Sequence, residues 1–346
     1  MSEKVIGKAN RIDLFDNLKA VLIVTVVIGH FIGAYTGQSH ILKTIWIYIY
    51  SFHMPLFLFV SGLMHKEYKT DDKLNRAKVC SFLICAYIMK ILLGFESMVI
   101  GGSTMKFSLL SEKGIPWFLI ALAVYEVIVY FSRDLKPSVI LAIAVLLSIF
   151  ISYDKEIGHY LILSRLVVFA PFYLLGYYMK PASVVEIAKK KYIKLLSLGI
   201  VVAFFVFCFI KTNWIYNYQL LFTGTHSFDS LSKVLPNANY LSRIFVMLVS
   251  FVMSFAVLML IPNRNLGKVT QIGRKTLQIY FWHNFVRDLL NCFSVYKLLC
   301  NTLSHPVGNV VYVLLAVLLV VILSMPLFAH PTKEIFSIKR KEISQL

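Results

Sequence analysis

The chain has 346 residues, 58% of them hydrophobic, with a mean hydropathy of +0.74. A composition this apolar excludes a soluble globular protein and describes a polytopic membrane protein. The formal charge of +18 does not indicate nucleic-acid binding, because a basic groove needs a folded soluble module and the apolar runs leave no room for one.

Only helices or closed barrels satisfy backbone groups in lipid. The apolar runs here have helical length rather than the short alternating pattern of a barrel, so the fold class is an all-α membrane bundle. Ten spans are predicted in chain order, at about 14–35, 41–65, 79–100, 115–132, 138–153, 160–179, 193–211, 241–262, 275–293 and 308–329. The fifth is the shortest. They form one membrane domain over 1–346, with no separate soluble domain, and the first is expected to stay uncleaved because no small-residue cleavage site follows it.

The connections alternate in charge. The N-terminus (Lys4, Lys8, Arg11, Lys19), the connections at 66–78, 133–136, 180–194 and 264–275, and the C-terminus hold 24 Lys and Arg; the alternate set, at Lys43, Lys106, Lys113, Lys155, Lys211, Lys233 and Lys297, holds seven. The positive-inside rule then predicts that both termini are cytoplasmic. Anionic lipid headgroups are the default partner of such loops, and an anionic cytosolic cosubstrate is the sharper alternative.

Cys80, Cys85, Cys208, Cys292 and Cys300 show no zinc or redox spacing, so no metal is predicted. Cys292 and Cys300 either pair near the outer face or serve as packing thiols, the commoner use. The longest connection, 211–240, contains Trp214, Tyr216, Tyr218 and Thr225-His-Ser-Phe-Asp229. It either covers an acceptor glycan or anchors the membrane edge with its aromatics.

Polar residues inside the spans carry the functional signal. His30 lies eleven residues after Lys19 and fourteen after Asp16, which puts the imidazole about 16 Å beyond the lysine on a helix, near mid-membrane. His53 and His283 fall at similar depth. His53 precedes Pro55, which loosens the backbone ladder, and Gly62, which permits close helix approach. Arg287 is one turn beyond His283. A lone buried histidine is ordinary, but three imidazoles with Arg287, Lys90, Glu126 and Arg165 predict a polar cavity through the bundle. Lys90 and Glu126 are expected to pair across spans three and four. Arg165 either snorkels to the surface or binds a glycan acid or phosphate, and Trp117, after Pro116, reads first as an interfacial anchor. An imidazole in such a cavity suits a general base or a proton relay.

These runs in this order resemble the integral-membrane acyltransferase-3 family, whose bacterial members move acetyl or other acyl groups onto cell-envelope and exported glycans. The carriers are Phe15-Asp16-Asn17-Leu18-Lys19 with Gly29-His30, Phe52-His53-Met54-Pro55-Leu56-Phe57 ending in Ser61-Gly62, Trp117-Phe118-Leu119, the run from Arg165 to Gly176, and Thr276-Leu277 with Ile279-Tyr280 and His283. The likeness spans essentially the whole chain and is greatest to the fucose O-acetylase-like branch. It implies a multi-pass plasma-membrane enzyme of a bacterium that uses an acyl-CoA, most readily acetyl-CoA, as cosubstrate, with no bound cofactor. The family signature of a basic residue, ten residues and a histidine maps onto Lys19 and His30. By resemblance His30 is the base and Lys19 a partner for the donor or the reacting carbonyl. Lysine lacks the arginine fork usual at that position. Asp16 holds the Lys19 ammonium or caps the helix.

The family's paired-Arg motif for acyl-CoA corresponds to Lys73 and Arg76, which retain the charge but not the bidentate geometry. Ordinary positive-inside charge accounts for the same residues. His53, His283, Arg165, Arg287 and Trp117 are expected on the cavity or acceptor side. The chain's length resembles the stand-alone type, which reaches a glycan or lipid-linked sugar itself or hands the acyl group to a separate extracytoplasmic transferase. The competing class is a non-enzymatic carrier of a glycan or small molecule. Against it, no matching pair of interrupted segments marks two inverted halves.

Overall fold

The computed structural model describes residues 11–101, 114–154 and 162–337. Lys4, Lys8, Lys106, Lys113 and Lys155, counted above for topology, lie outside the described residues, as do Lys339, Arg340 and Lys341. The protein is all-helical, with 79% helix and no strand among the described residues. In chain order the helices are α1 (Asp13–Ile32), α2 (His40–Tyr50), α3 (His53–Leu63), α4 (Arg76–Gly101), α5 (Trp117–Phe131), α6 (Pro137–Phe150), α7 (Leu163–Tyr178), α8 (Pro181–Lys189), α9 (Lys191–Ile210), α10 (Thr212–Tyr216), α11 (Gln219–Phe222), α12 (Tyr240–Leu260), α13 (Lys268–Arg274), α14 (Thr276–Cys292), α15 (Val295–Leu303), α16 (His305–Leu323) and α17 (Thr332–Ser337).

Each predicted apolar run is occupied by helix. Six helical segments are long and apolar enough to cross a membrane: Asp13–Tyr35, His40–Leu63, Arg76–Ile100, Lys191–Ile210, Tyr240–Leu260 and His305–Leu323. α5, α6 and α7 are shorter apolar helices. α14 falls below that hydropathy because Gln278, His283, Asn284, Arg287 and Asp288 lie on it. Large apolar side chains face outward along these helices, among them Leu195 at 73% and Ile210 at 68% exposure on α9. In water that surface would be unstable, whereas in hydrocarbon it is the expected exterior.

The second predicted span is not one continuous helix. α2 ends at Tyr50 and α3 begins at His53, with Phe52 at φ −137° and ψ −26° between them. Pro55 explains the break. Its ring would clash with a helical carbonyl four residues back, and here it lies in the first turn of a new helix, where that clash is relieved. The break withholds the ordinary helical bond from the Ile49 carbonyl, which instead accepts from the His53 ring at 2.9 Å and from the Phe52 amide at 3.2 Å. A freed backbone group inside the bundle is thereby satisfied, and the imidazole is oriented by the same contact.

α3 packs against α7 at backbone distance. A Cβ built on Gly62 would lie 2.1 Å from the Tyr173 carbonyl oxygen, and one built on Gly176 would lie 2.0 Å from that of Phe59. Small residues are what permit such an approach between membrane helices. A comparable contact seats α13 on α1, where a Cβ on Gly273 would fall 1.7 Å from the Asp16 carbonyl oxygen. Asn17 reinforces that joint by donating to the Pro262 and Arg264 carbonyls at 2.9 and 2.8 Å, while Thr270 donates to Asn17 at 2.7 Å. Cys292 and Cys300 are both free thiols, the first exposed and the second buried.

The α3–α7 contact makes a direct prediction. Gly62→Ala or Gly176→Ala should cost about 1–3 kcal/mol through overpacking. Gly199→Ala on α9, where nothing lies within 4 Å of the added carbon, should leave the thermal midpoint of the detergent-solubilised protein unchanged. Equal midpoints for all three variants would contradict the close approach.

Candidate active site

Two of the three intramembrane histidines line one cavity of about 130 Å³, together with Tyr50, Gly114, Ile115, Trp117, Arg165, Phe169, Phe222, Thr223 and Tyr280. His30 lies only two residues before the end of α1. The site is therefore displaced from mid-span toward the end that carries the 33–39 and 211–239 connections. Trp117 is buried beneath the Arg165 guanidinium, which lies 5.0 Å from its ring centre, and it stacks on Phe169 at 5.6 Å. Arg165 thus turns inward over an aromatic face rather than snorkelling outward, and Trp117 is part of the cavity wall rather than a membrane-edge anchor. The 211–240 connection contributes Phe222 and Thr223 to this wall, while Trp214 remains exposed.

That connection is pinned from beneath. The buried Arg243 guanidinium donates to the Leu221 carbonyl at 2.7 Å and to the Ser152 hydroxyl, and Ser164 donates to the Gly224 carbonyl at 2.7 Å. Gly224 adopts φ +70°, a conformation that only glycine reaches without strain, and a Cβ built on it would lie 3.0 Å from the Phe169 ring. On the facing side, Tyr280 donates its hydroxyl to the Ile115 carbonyl and holds the start of α5 against α14.

His283 does not line the cavity. It is fully buried behind His30, with its Nε2 2.8 Å from His30 Nδ1. The ring centres are 5.0 Å apart with the planes tilted by 13°. Nitrogens this close at that centre separation put the rings edge to edge in nearly one plane, the geometry of an in-plane hydrogen bond. Arg287, one turn further on, is held by Asp288 at 2.6–2.8 Å and lies outside the cavity wall.

A second and larger cavity, about 430 Å³, opens at the other end of α3. His65, Lys66, Glu67, Tyr68, Lys73, Lys78, Glu126 and Phe336 are among its lining residues. The buried Glu126 carboxylate organises it, meeting His65 Nε2 at 2.5 Å and Lys78 Nζ at 2.7 Å and accepting the Tyr68 hydroxyl at 2.5 Å. Burial, followed by its bond to Glu126, pushes the Tyr68 phenol above its ordinary range, so it remains the donor. α17 closes one side, with the Ile335 carbonyl accepting from Ser81 at 3.1 Å and Phe336 packed on Phe82.

Among the described residues, the expected single polar cavity is therefore two. α3 runs from His53 toward His65 and α5 from Trp117 to Glu126, separations of about 18 and 14 Å at the helical rise. Phe57 and Phe118, on the same two helices, meet with ring centres 5.3 Å apart. The expected Lys90–Glu126 pair is also replaced. The cation on Glu126 is Lys78, and Lys90 sits about 18 Å further along α4.

Of the remaining sequence-predicted residues, Lys73 lines the larger cavity and Arg76 is exposed at the start of α4. Lys19 and Asp16 are not brought to His30. Asp16 is buried at the base of α1, with Lys19 at 2.9 Å, Arg11 at 2.8 Å and Arg274 at 3.0 Å. Sequence reasoning missed Tyr50, His65, Lys66, Tyr68, Lys78 and Tyr280. Tyr50 had a readable signal, one helical turn before His53, and His65 closes the second apolar run with Lys66 next to it. The cluster around Glu126 is formed by residues far apart in sequence, and no local spacing announces it.

The Glu126 cluster predicts selective coupling. In a double-mutant cycle on thermal stability, Lys78→Met and Glu126→Gln should be non-additive by about 0.5–3 kcal/mol, whereas Lys90→Met and Glu126→Gln should add. Coupling of the second pair and not the first would reverse the assignment.

No curated protein and no solved structure matches the chain. A family model does: the acyltransferase domain of the acyltransferase-3 family matches residues 12–329. That stretch contains the smaller cavity, the larger one apart from Phe336 on its wall, and every helix from α1 to α16. A multi-helical membrane protein with imidazoles at a buried cavity and this family match over nearly its full length belongs to the acyltransferase-3 family of membrane acyltransferases.

Proposed function

We propose that the protein transfers an acetyl group from acetyl-CoA to a hydroxyl of a cell-envelope or exported polysaccharide, or of its lipid-linked precursor, with His30 as general base. The observation that carries this reading is the pairing of the two cavities. One is small and holds imidazoles, and the other is larger and lined by Lys66, Lys73 and Lys78. A volume of about 130 Å³ is well below the roughly 300–1,000 Å³ of a complete small-molecule site, so the smaller cavity suits the reacting ends of two substrates rather than a whole cofactor. The larger falls within that range and carries Lys66 and Lys73 for nucleotide phosphates beside the Lys78 that Glu126 binds, with Glu67 and Asp72 also on its wall. The 14–18 Å between them is a distance that a pantetheine arm spans when extended.

In this scheme all ten apolar helices cross a bacterial plasma membrane with both termini cytoplasmic, as the positive-inside rule requires. Acetyl-CoA places its phosphates at the Lys66, Lys73 and Lys78 end, and the arm threads between α3 and α5 past Phe57 and Phe118. The acceptor enters beneath the 211–240 connection, where Phe222 and Thr223 meet it and the Arg165 guanidinium offers a cation to an acidic sugar or to the developing oxyanion. His30 Nε2 takes the hydroxyl proton as the sugar oxygen attacks the thioester carbonyl. The carbon–sulfur bond then breaks, and the CoA thiolate takes up the proton from the imidazolium. A base of this kind contributes about 10²- to 10⁴-fold; positioning within the small cavity supplies much of the remainder. Lys19 and Asp16 anchor the base of α1, and in this reading they act on the fold around the donor rather than on the reacting carbonyl.

The test is CoA release from acetyl-CoA by the purified protein with envelope glycan as acceptor. Release should depend on glycan and fall about 10²- to 10⁴-fold in His30→Ala. The double variant Lys66→Glu/Lys73→Glu should raise KM for acetyl-CoA with kcat nearly unchanged, since it removes ground-state binding remote from the reacting atoms. Undiminished release by a folded His30→Ala would refute the assigned base. Acetyl-CoA binding without turnover over a panel of acceptors would favour a carrier.

A further inference from the structure

His283 has no access to a substrate, yet it makes the shortest polar contact of the residue proposed to react. Its role follows from what each atom around it is able to donate or accept. His283 Nδ1 lies 2.8 Å from the Tyr280 carbonyl oxygen and 3.2 Å from that of Ile279. A carbonyl only accepts, so Nδ1 carries the proton, and in the neutral ring Nε2 is then a bare lone pair. That lone pair faces His30 Nδ1 at 2.8 Å, in the nearly coplanar edge-to-edge arrangement described above. His30 Nδ1 must therefore be the donor, and His30 Nε2 must be the unprotonated nitrogen. The sequence of polar groups runs from the Tyr280 carbonyl through His283 to His30 and ends in a basic nitrogen on the ring that faces the small cavity.

We infer that His283 is a positioning residue that holds His30 in its Nδ1-protonated tautomer and in the plane that presents Nε2 to the acceptor hydroxyl. The inference rests on the proposed role of His30 as base. The second ring does for the first what a buried carboxylate does in a hydrolase triad, but without placing a negative charge in the membrane, where an unpaired carboxylate is costly. When His30 takes up the hydroxyl proton it becomes a cation with two N–H groups. Its bond to His283 Nε2 then becomes charge-assisted and strengthens as the transition state is reached. Without an acceptor at that place, the lone pair on His30 is free to settle on either nitrogen, and the ring loses the contact that fixes its plane.

The substitutions separate this role from simple packing. His283→Leu fills a similar space and offers no acceptor. His283→Gln puts an amide oxygen near the position of Nε2 and restores one. In the folded, nanodisc-embedded protein, His283→Leu should lose up to about 10⁴-fold in kcat, the scale for removing a tautomer-fixing partner, with little change in KM for acetyl-CoA. His283→Gln should recover most of that loss. Independently of activity, ¹⁵N spectra of histidine-labelled wild type, with the His30 signals identified by difference against His30→Ala, should show the His30 proton on Nδ1 and move toward the Nε2 form in His283→Leu.

A wild-type His30 protonated at Nε2 would overturn the inference outright. So would a fully active His283→Leu alongside an inactive His30→Ala, or a folded His283→Gln no better than His283→Leu. If His30→Ala is itself fully active, the base assignment falls, and the spectra still decide whether His283 fixes the tautomer.

Discussion

The contact on which the arrangement rests is the backbone-to-backbone packing of α3 on α7 through Gly62 and Gly176. Lipid supplies no hydrophobic drive between apolar helices, so close van der Waals approach has to hold them together. Two facing glycines let the chains meet where any side chain would separate them. α3 is then a fixed axis, with His53 and the small cavity at one end and His65 with the larger cavity at the other. A shift along that axis would change the distance between the two places at which a long donor is proposed to be gripped.

Charge is distributed by a simple rule. The two deeply buried carboxylates with several partners, Asp16 and Glu126, each sit near the end of the bundle that carries the basic connections and each is surrounded by cations. Breaking such buried pairs is expensive, which makes these clusters suited to anchoring α1 to α13 and α3 to α4 and α5. Away from those ends buried carboxylates give way to the guanidinium of Arg243 on the Leu221 carbonyl and Ser152, and to groups that can be neutral. His30, His53 and His283 are tied to one another or to backbone carbonyls freed by helix geometry. Neutral imidazoles carry a proton-accepting site into the membrane at far lower cost than a carboxylate would.

Much of this was legible in the sequence, and the reason is local. A hydrocarbon core about 30 Å thick demands helices of about 20 apolar residues, so length and hydropathy locate the helical runs from Asp13 to Leu323 with ends correct to a few residues. Pro55 announces a loosened ladder in the second run but not the full break before His53, and the close approach at Gly62 follows from the absence of a side chain. His30 as a cavity residue follows from its place in an apolar run. The failures are all pairings. Lys90 was matched to Glu126 because both are charged and lie on neighbouring spans, while the register of α4 against α5 brings Lys78 there instead. Trp117 and Arg165 carry two readings in the sequence, membrane edge or cavity side, because nothing local says that they face each other across a cavity wall.

Residue order settles the helical membrane class, the order and approximate extent of the apolar helices, and the family to which the chain belongs. Those properties depend on residues within a turn or two of one another and on the thickness of the solvent they cross. Tertiary packing decided that the polar interior among the described residues holds two cavities and not one, that Asp16 and Lys19 brace α1 against Arg274 of α13, and that His283 stands behind His30. Each depends on the rotation and register of one helix against another. Those are set by the sum of many packing contacts distant in sequence, and no periodicity or spacing within a single helix contains them.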